Sequence, residues 1–232
     1  MLDRNLHKTL LLQTLKEIYL DSSLGPLLGF KGGTAAYFFH GLGRFSVDLD
    51  FDLLEENKQS GVFEKIGGIL KKFGTIRERY NKKNTLFFMF SYRDEAQNIK
   101  VEISKRTFGS RYELKNYLGI PMLVMVKEDM FAHKLVAMLE RGKTASRDIF
   151  DVWFFLNAHW RINKNIIEKR TKMAFGAYLN KCVDFIEAFN DKNILAGIGE
   201  LLDEKQKIWV KTRLKEEVLF LLKIRLEEEA GR

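Results

Sequence analysis

The segment "LGFKGGTAAYFFHGLGRFSVDLDFDLL", residues 28–54, constrains the fold of this chain more than any other. It opens on a short apolar run, breaks at Gly32 and Gly33, and closes with carboxylates at every second position: Asp48, Asp50 and Asp52. The alternation in "FSVDLDFDLL" has the period of a β-strand. Asp is disfavoured in strands, so acids repeated along one need compensation. Residues i and i+2 of a strand share a face. Asp48 and Asp50 should therefore project together, with Leu49 and Phe51 on the opposite, buried face. Two ionised carboxylates this close repel unless a cation lies between them. Hard oxygen ligands suit Mg²⁺, which commonly binds through one or two carboxylates plus substrate phosphates. The competing reading is the solvated polar side of an edge strand, and alternation alone leaves both open. Asp52 shares the parity but lies beyond the pair; it is expected to face solvent or to support the other two.

The paired glycines bear on that choice. A strand, then Gly32 and Gly33, then a helix beginning near Thr34 gathers backbone N–H groups and a positive dipole end at one point. Glycine lets a phosphate approach the backbone closely, although an ordinary tight turn uses the same residues. Together the two features place a phosphate site opposite a metal site, the arrangement that holds a nucleoside triphosphate. A third carboxylate would complete two-metal chemistry. Glu102 is the candidate, because an acid alternating with Val101 and Ile103 in an expected central strand is costly unless paired or ligated.

The 232 residues divide in pattern. Up to about residue 120, expected helices (4–21, "TAAYFFHGL" and 60–72) alternate with expected strands ("LLGF", "FSVDLDFDLL", "GTIRERY", "NTLFFMFSY" and "NIKVEISKR"). The turns "NKKN" and "RDEAQ" imply antiparallel pairing among the last three strands. After Pro121 the pattern is helical. No flexible linker separates the halves, so they are expected to pack closely. The runs "LFFMF" and "WFFL" are read as core. Cys182 is the only cysteine, which excludes a disulfide framework and a multi-cysteine metal site; it is expected in the core. His40, His133 and His159 show no metal spacing. No apolar stretch is long enough for a membrane span and none resembles a signal peptide, so a cytoplasmic protein without membrane attachment is expected. The net charge of +8 favours a polyanionic partner. Its densest part, "KKFGTIRERYNKK" at residues 71–83, suits either a lysine-protected strand edge or a nucleic-acid contact.

A second constellation lies in the helical half. Lys127, Lys134 and Arg141 are spaced by seven and line one side of a helix. Lys134 borders its apolar face, where an unpaired ammonium is expensive, so it should meet a phosphate or an acid. On the next expected helix, apolar almost all round, the acids Asp148 and Asp151 share one side. Either could form a salt bridge with Lys134 or Arg147, and Arg147 could instead contact phosphate.

Gly32-Gly33-Thr34, Arg44, Ser46 and Asp48-Leu49-Asp50-Phe51 resemble the signature of the DNA polymerase β-like nucleotidyltransferase superfamily. More closely, "FKGGTAAYFFHGLGRFSVDLDF" is similar to the AbiEii/AbiGii-type nucleotidyltransferases, the toxins of bacterial abortive-infection and toxin–antitoxin loci. The later "HKLVAMLERGKTASRDIFDVWFF" resembles that group's helical Lys followed by Arg-Asp-x-x-Asp. The resemblance implies an α+β fold: a polymerase β-like catalytic core with a mixed sheet over residues 1–120, then a helical domain over 121–232 that closes over the nucleotide and helps to bind the acceptor. It implies transfer of a nucleoside monophosphate from an NTP to a hydroxyl of RNA, such as a tRNA 3′ end, or of a protein. By the same resemblance, Asp48, Asp50 and Glu102 hold two Mg²⁺ (or Mn²⁺) ions. Gly32, Gly33 and Thr34 grip the β,γ-phosphates, and Ser46 adds a hydroxyl. Arg44 and Lys134 neutralise the triphosphate, with Arg147 and Asp148 beside the nucleotide. A cognate antitoxin is the implied functional partner. A small-molecule nucleotidyltransferase of the antibiotic-modifying kind and a non-catalytic nucleotide-binding module remain the alternatives.

Overall fold

The structure, a computed structural model, describes residues 2–93, 97–142 and 146–231. Most of the turn expected at "RDEAQ", and residues 143–145 of the later motif, lie outside them. Two compact units divide the chain, Met1–Val126 and Lys127–Arg232.

The first unit is built on a mixed seven-stranded sheet of order β3-β4-β5-β2-β1-β7-β6. Its strands are β1 (Leu28–Lys31), β2 (Leu49–Leu53), β3 (Thr75–Lys82), β4 (Thr85–Arg93), β5 (Gln97–Ser104), β6 (Tyr112–Tyr117) and β7 (Ile120–Met125). β1 pairs with β7, and β2 with β5, in parallel; the other neighbours are antiparallel. One face carries the core, with Phe30, Leu49, Phe51, Phe88, Val101 and Ile103 all fully buried. Three helices, α1 (Arg4–Leu20), α2 (Gly32–His40) and α3 (Gln59–Leu70), cover that face. Each contributes a ring: Tyr19 against Phe51, Phe39 against Phe30, and Phe63 against Phe88. The strand alternation thus aims its polar members at the opposite face.

The structure departs from the sequence pattern at three places. The hairpin β6–β7 was not legible as strands. β6 is an exposed edge, "YELKNY", with little apolar alternation. Its two-residue turn puts Leu118 (φ 51°) and Gly119 (φ 82°) in the left-handed region, where Asn-Gly would be the recognisable signal. Pro121 consequently lies inside β7. The strand expected from Phe45 begins only at Leu49. Three carbonyls just before it are taken by side chains rather than by a ladder, as described below. The run "LFFMF" is only half core: Leu86, Phe88 and Phe90 are fully buried, whereas Phe87 and Met89 are half-buried on the other face.

The second unit is helical among its described residues: α4 (Lys127–Arg141), α5 (Ser146–Asn157), α6 (Lys164–Thr171), α7 (Phe175–Ala188), α8 (Glu204–Thr212) and α9 (Leu214–Ala230). α5 packs against α4 and α9 and buries Ile149, Phe150, Val152, Phe155 and Leu156, as its near-continuous apolar sequence requires. Its remaining large rings pair sideways, Trp153 with Trp209 at 4.2 Å between centroids. Cys182 is fully buried in α7, and burial pushes its thiol up to about 12, which makes it an inert core residue. No described helix is long and apolar enough to cross a membrane.

Candidate active site

The turn from β1 into α2 brings the glycines and the acids together. Gly32 has φ +78°, a conformation that only glycine adopts without strain. A Cβ there would also fall on the Asp50 carboxylate, so this acid lies directly against the turn's backbone. Gly33 is tight for a different reason. Its Cβ would come within 2.7 Å of Arg44 Nη2 and 3.0 Å of Ser46 Oγ. The absence of both side chains lets the α2 N-terminus, with its orphan N–H groups, sit between Asp50 on one side and Arg44 and Ser46 on the other. Gly32→Ala combines the strained φ with a collision at Asp50. It is expected to lower activity by at least tenfold and stability by about 1–3 kcal/mol, checked by initial rates and urea unfolding.

The segment before β2 is held by side chains. Arg44 Nη1 donates to Phe45 O at 3.0 Å, His7 Nε2 to Val47 O at 2.9 Å, and the Thr34 hydroxyl donates to Asp48 O. Thr34 Oγ1 and Ser46 Oγ share a further hydrogen bond of 2.9 Å. Asp48 is therefore aimed by a braced, irregular segment and not by strand geometry. Thr34, Arg44 and Ser46 are all buried. Their side chains lie behind the turn and brace it, while the backbone of Gly32 and Gly33 forms its front.

His7 was not singled out in the sequence, having no motif around it. It is 1% exposed. Because Nε2 donates to the Val47 carbonyl, Nδ1 must accept from Tyr92 OH, 2.7 Å away. Burial lowers its pKa from the usual 6.5, outweighing the Val47 carbonyl and the charge of Asp48, which both raise it. Below pH 6.5 the unfolded chain thus binds a proton that the folded chain refuses. His7 makes its full contribution to stability above that pH and loses it as pH falls. The urea midpoint is expected to drop between pH 7 and pH 5, with a shallower drop in His7→Gln.

On the open face of the sheet the register sets out a row. Lys31 pairs with Asp50, and Asp50 with Glu102 on the adjacent parallel strand. The register therefore sets the Glu102 backbone directly opposite that of Asp50. Of the two expectations for Asp52, the solvent-facing one does not hold: it is 8% exposed, ion-paired to Lys31 Nζ at 2.6 Å and hydrogen-bonded by Tyr112 OH. The Tyr112 ring fills the space over Gly29. Lys31 and Tyr112 were missed because their partner lies across strands.

The residues present suit Mg²⁺ by donor chemistry: Asp48, Asp50 and Glu102 offer only hard carboxylate oxygens. Among the described residues, no group of three or more His, Cys, Asp or Glu side chains is gathered closely enough to hold a metal ion by itself. Such a site fits an ion shared between one or two carboxylates and a triphosphate, not a pre-formed cage.

In the second unit, Lys134 meets acids. Its Nζ lies 2.9 Å from Asp148 Oδ1 and 2.9 Å from Asp151 Oδ2, both carboxylates being fully buried. Arg141 adds a contact of 3.1 Å to Asp148. Arg147 donates from Nε to the Gly197 carbonyl, a local pairing.

A glycine turn at a helix N-terminus lies against a carboxylate row on a mixed seven-stranded sheet, and the comparisons with known proteins make this chain a nucleotidyltransferase. The model of the family described as the nucleotidyl transferase AbiEii toxin of type IV toxin–antitoxin systems matches residues 13–217, and the chain belongs to that family. Its fold is similar to that of a candidate nucleotidyltransferase from Helicobacter pylori, with 20% identity, 99% of each chain covered and a TM-score of 0.61. It is similar also to JHP933 of Helicobacter pylori, with 19% identity, 100% of this chain and 96% of the other covered, and a TM-score of 0.59. No curated protein matches it in sequence.

Proposed function

We propose that this nucleotidyltransferase moves a nucleoside monophosphate from an NTP to a hydroxyl of RNA or protein, in a Mg²⁺-dependent reaction, as a toxin countered by a cognate antitoxin. The observation that carries the reading is the contact of the Asp50 carboxylate with the Gly32 turn, in register with Glu102. It places the acid expected to share a metal with phosphate beside the N–H groups expected to bind phosphate. The α2 N-terminus receives the β- and γ-phosphates, with buried Arg44 adding positive charge from behind. Asp48, Asp50 and Glu102 would hold Mg²⁺, which when bound supplies charge neutralisation at the entering and leaving oxygens. Thr34, Ser46 and His7 keep the Asp48 backbone from moving. The acceptor oxygen forms its bond to the α-phosphorus as the bond to the bridging oxygen breaks. Pyrophosphate leaves, and the hydroxyl proton passes to Glu102 or to water. Positioning provides most of the remaining acceleration.

The test supplies each α-labelled NTP with Mg²⁺ and either total RNA or cell protein. Label is expected in one macromolecular acceptor, with release of unlabelled pyrophosphate. Label confined to a small molecule would replace the toxin reading with an antibiotic-type one. Nucleotide binding with no transfer to any acceptor would replace it with the non-catalytic one.

A further inference from the structure

The carboxylate row does not end at Glu102. Glu102 is in register with Phe87 on β4, and Phe87 with Tyr80 on the edge strand β3. Directly paired residues share a face, so Lys31, Asp50, Glu102, Phe87 and Tyr80 form one line across five strands. Phe87 and Tyr80 stack with centroids 4.7 Å apart and planes inclined by 12°. Lys82 Nζ lies 4.3 Å from the Tyr80 ring centroid. Tyr80, Phe87 and Met89 are half-buried, and Lys82 and Lys100 beside them are exposed.

A cross-strand aromatic pair can exist merely to stabilise a hairpin, contributing little. That account leaves the chemistry of β4 unexplained. The core side of β4 is complete, with Leu86, Phe88 and Phe90 fully buried and Phe63 of α3 packed on Phe88. The opposite side, which shares its face with three acids, would be expected to be polar. It carries Phe87 and Met89 instead, with Tyr80 of β3 stacked on Phe87 and lysines at the border.

We propose that Phe87 and Tyr80, flanked by Lys82 and Lys100, form a stacking platform for the terminal base of a single-stranded nucleic-acid acceptor. The inference rests on the nucleotidyl-transfer reading above and names the acceptor side of that same site. Flat, sequence-tolerant rings with adjoining cations are the chemistry of single-strand binding. Neighbouring strands lie about 4.8 Å apart, so the platform starts one strand from Glu102 and two from Asp50. A base laid against Phe87 has its ribose over Glu102, where the attacking hydroxyl must be. The strand's preceding phosphates then run outward past Lys82 toward Lys83 and the basic β3 edge, giving that segment's charge a role. The triphosphate turn lies at the other end of the row, so the base of the incoming nucleotide does not need the platform.

The experiment measures binding of a fluorescein-labelled single-stranded RNA dodecamer by anisotropy at fixed salt, without NTP, to wild type, Phe87→Leu, Tyr80→Leu and Phe87→Tyr. In parallel, binding of a non-hydrolysable NTP analogue with Mg²⁺ is titrated. Leucine at either position is expected to weaken RNA binding at least fivefold and to leave analogue binding within twofold. Phe87→Tyr is expected to bind RNA like wild type. Circular dichroism melts check that the leucine variants are folded, and a misfolded variant is replaced by Lys82→Gln, expected to weaken RNA binding at least twofold. RNA affinity unchanged in folded variants overturns the proposal, whether or not a protein acceptor is labelled. Weakened analogue binding with intact RNA binding also overturns it, by giving the platform to the incoming nucleotide. RNA binding that falls as expected in an enzyme that labels no acceptor refutes the transfer reading and leaves the platform standing.

Discussion

Asp50→Asn is expected to lower kcat/KM by about 10³-fold while leaving the fold as stable as wild type or slightly more so. The substitution is nearly isosteric, so packing against Gly32 is preserved. What changes is charge, in a neighbourhood that also holds Asp48, Asp52 and Glu102. Removing one negative charge from such a group relieves repulsion in the free protein. The same charge is needed when the triphosphate and its metal arrive. Activity and stability should therefore move in opposite directions, the pattern of a site that stores repulsion for function. Initial rates at saturating Mg²⁺ and urea unfolding of the same preparation check both halves. A loss of activity matched by a comparable loss of stability would assign Asp50 to the scaffold.

The second large effect lies in the helical unit. Lys134→Ala is expected to destabilise it by about 3–5 kcal/mol, because removing one partner of a buried ion pair leaves uncompensated charge. Here one ammonium serves two fully buried carboxylates, and Arg141, more than half exposed, also contacts Asp148. Lys134→Ala combined with Asp151→Asn should recover part of the loss, since the cluster's net charge returns to that of wild type. A role of Lys134 on phosphate predicts something different: an intact urea midpoint with a raised KM for NTP. Unfolding and kinetics of the single and double variants separate the two.

How much of this was legible in the sequence follows from which interactions are local. The Gly32–Gly33 turn and the Asp48–Asp50 spacing are local, and both stood in the residues. Glu102 was singled out by a cost argument, an acid between β-branched neighbours, and the β2–β5 register sets it opposite Asp50. The bracing of residues 44–48 was not legible, because His7 and Thr34 reach that segment from other elements, and their hydrogen bonds replace the strand that alternation suggested. The choice left open for Asp52 could not be made for the same reason: its partners Lys31 and Tyr112 come from β1 and β6. The β6–β7 hairpin was hidden by an exposed edge and a leucine in a left-handed turn position. "LFFMF" shows the limit of composition most plainly. Five apolar residues in a row say that both faces of a strand are apolar, and say nothing of what the second face meets.

The Gly32–Gly33 turn and the row Asp48, Asp50 and Glu102 are proposed as one site for a metal-bound triphosphate. Calorimetric titration of a non-hydrolysable NTP analogue into wild type and the Asp48→Asn/Asp50→Asn double variant, with and without Mg²⁺, tests it most directly. Wild type is expected to bind at least tenfold more tightly with Mg²⁺, and the variant to show no such metal effect. Equal metal dependence in both proteins would contradict it.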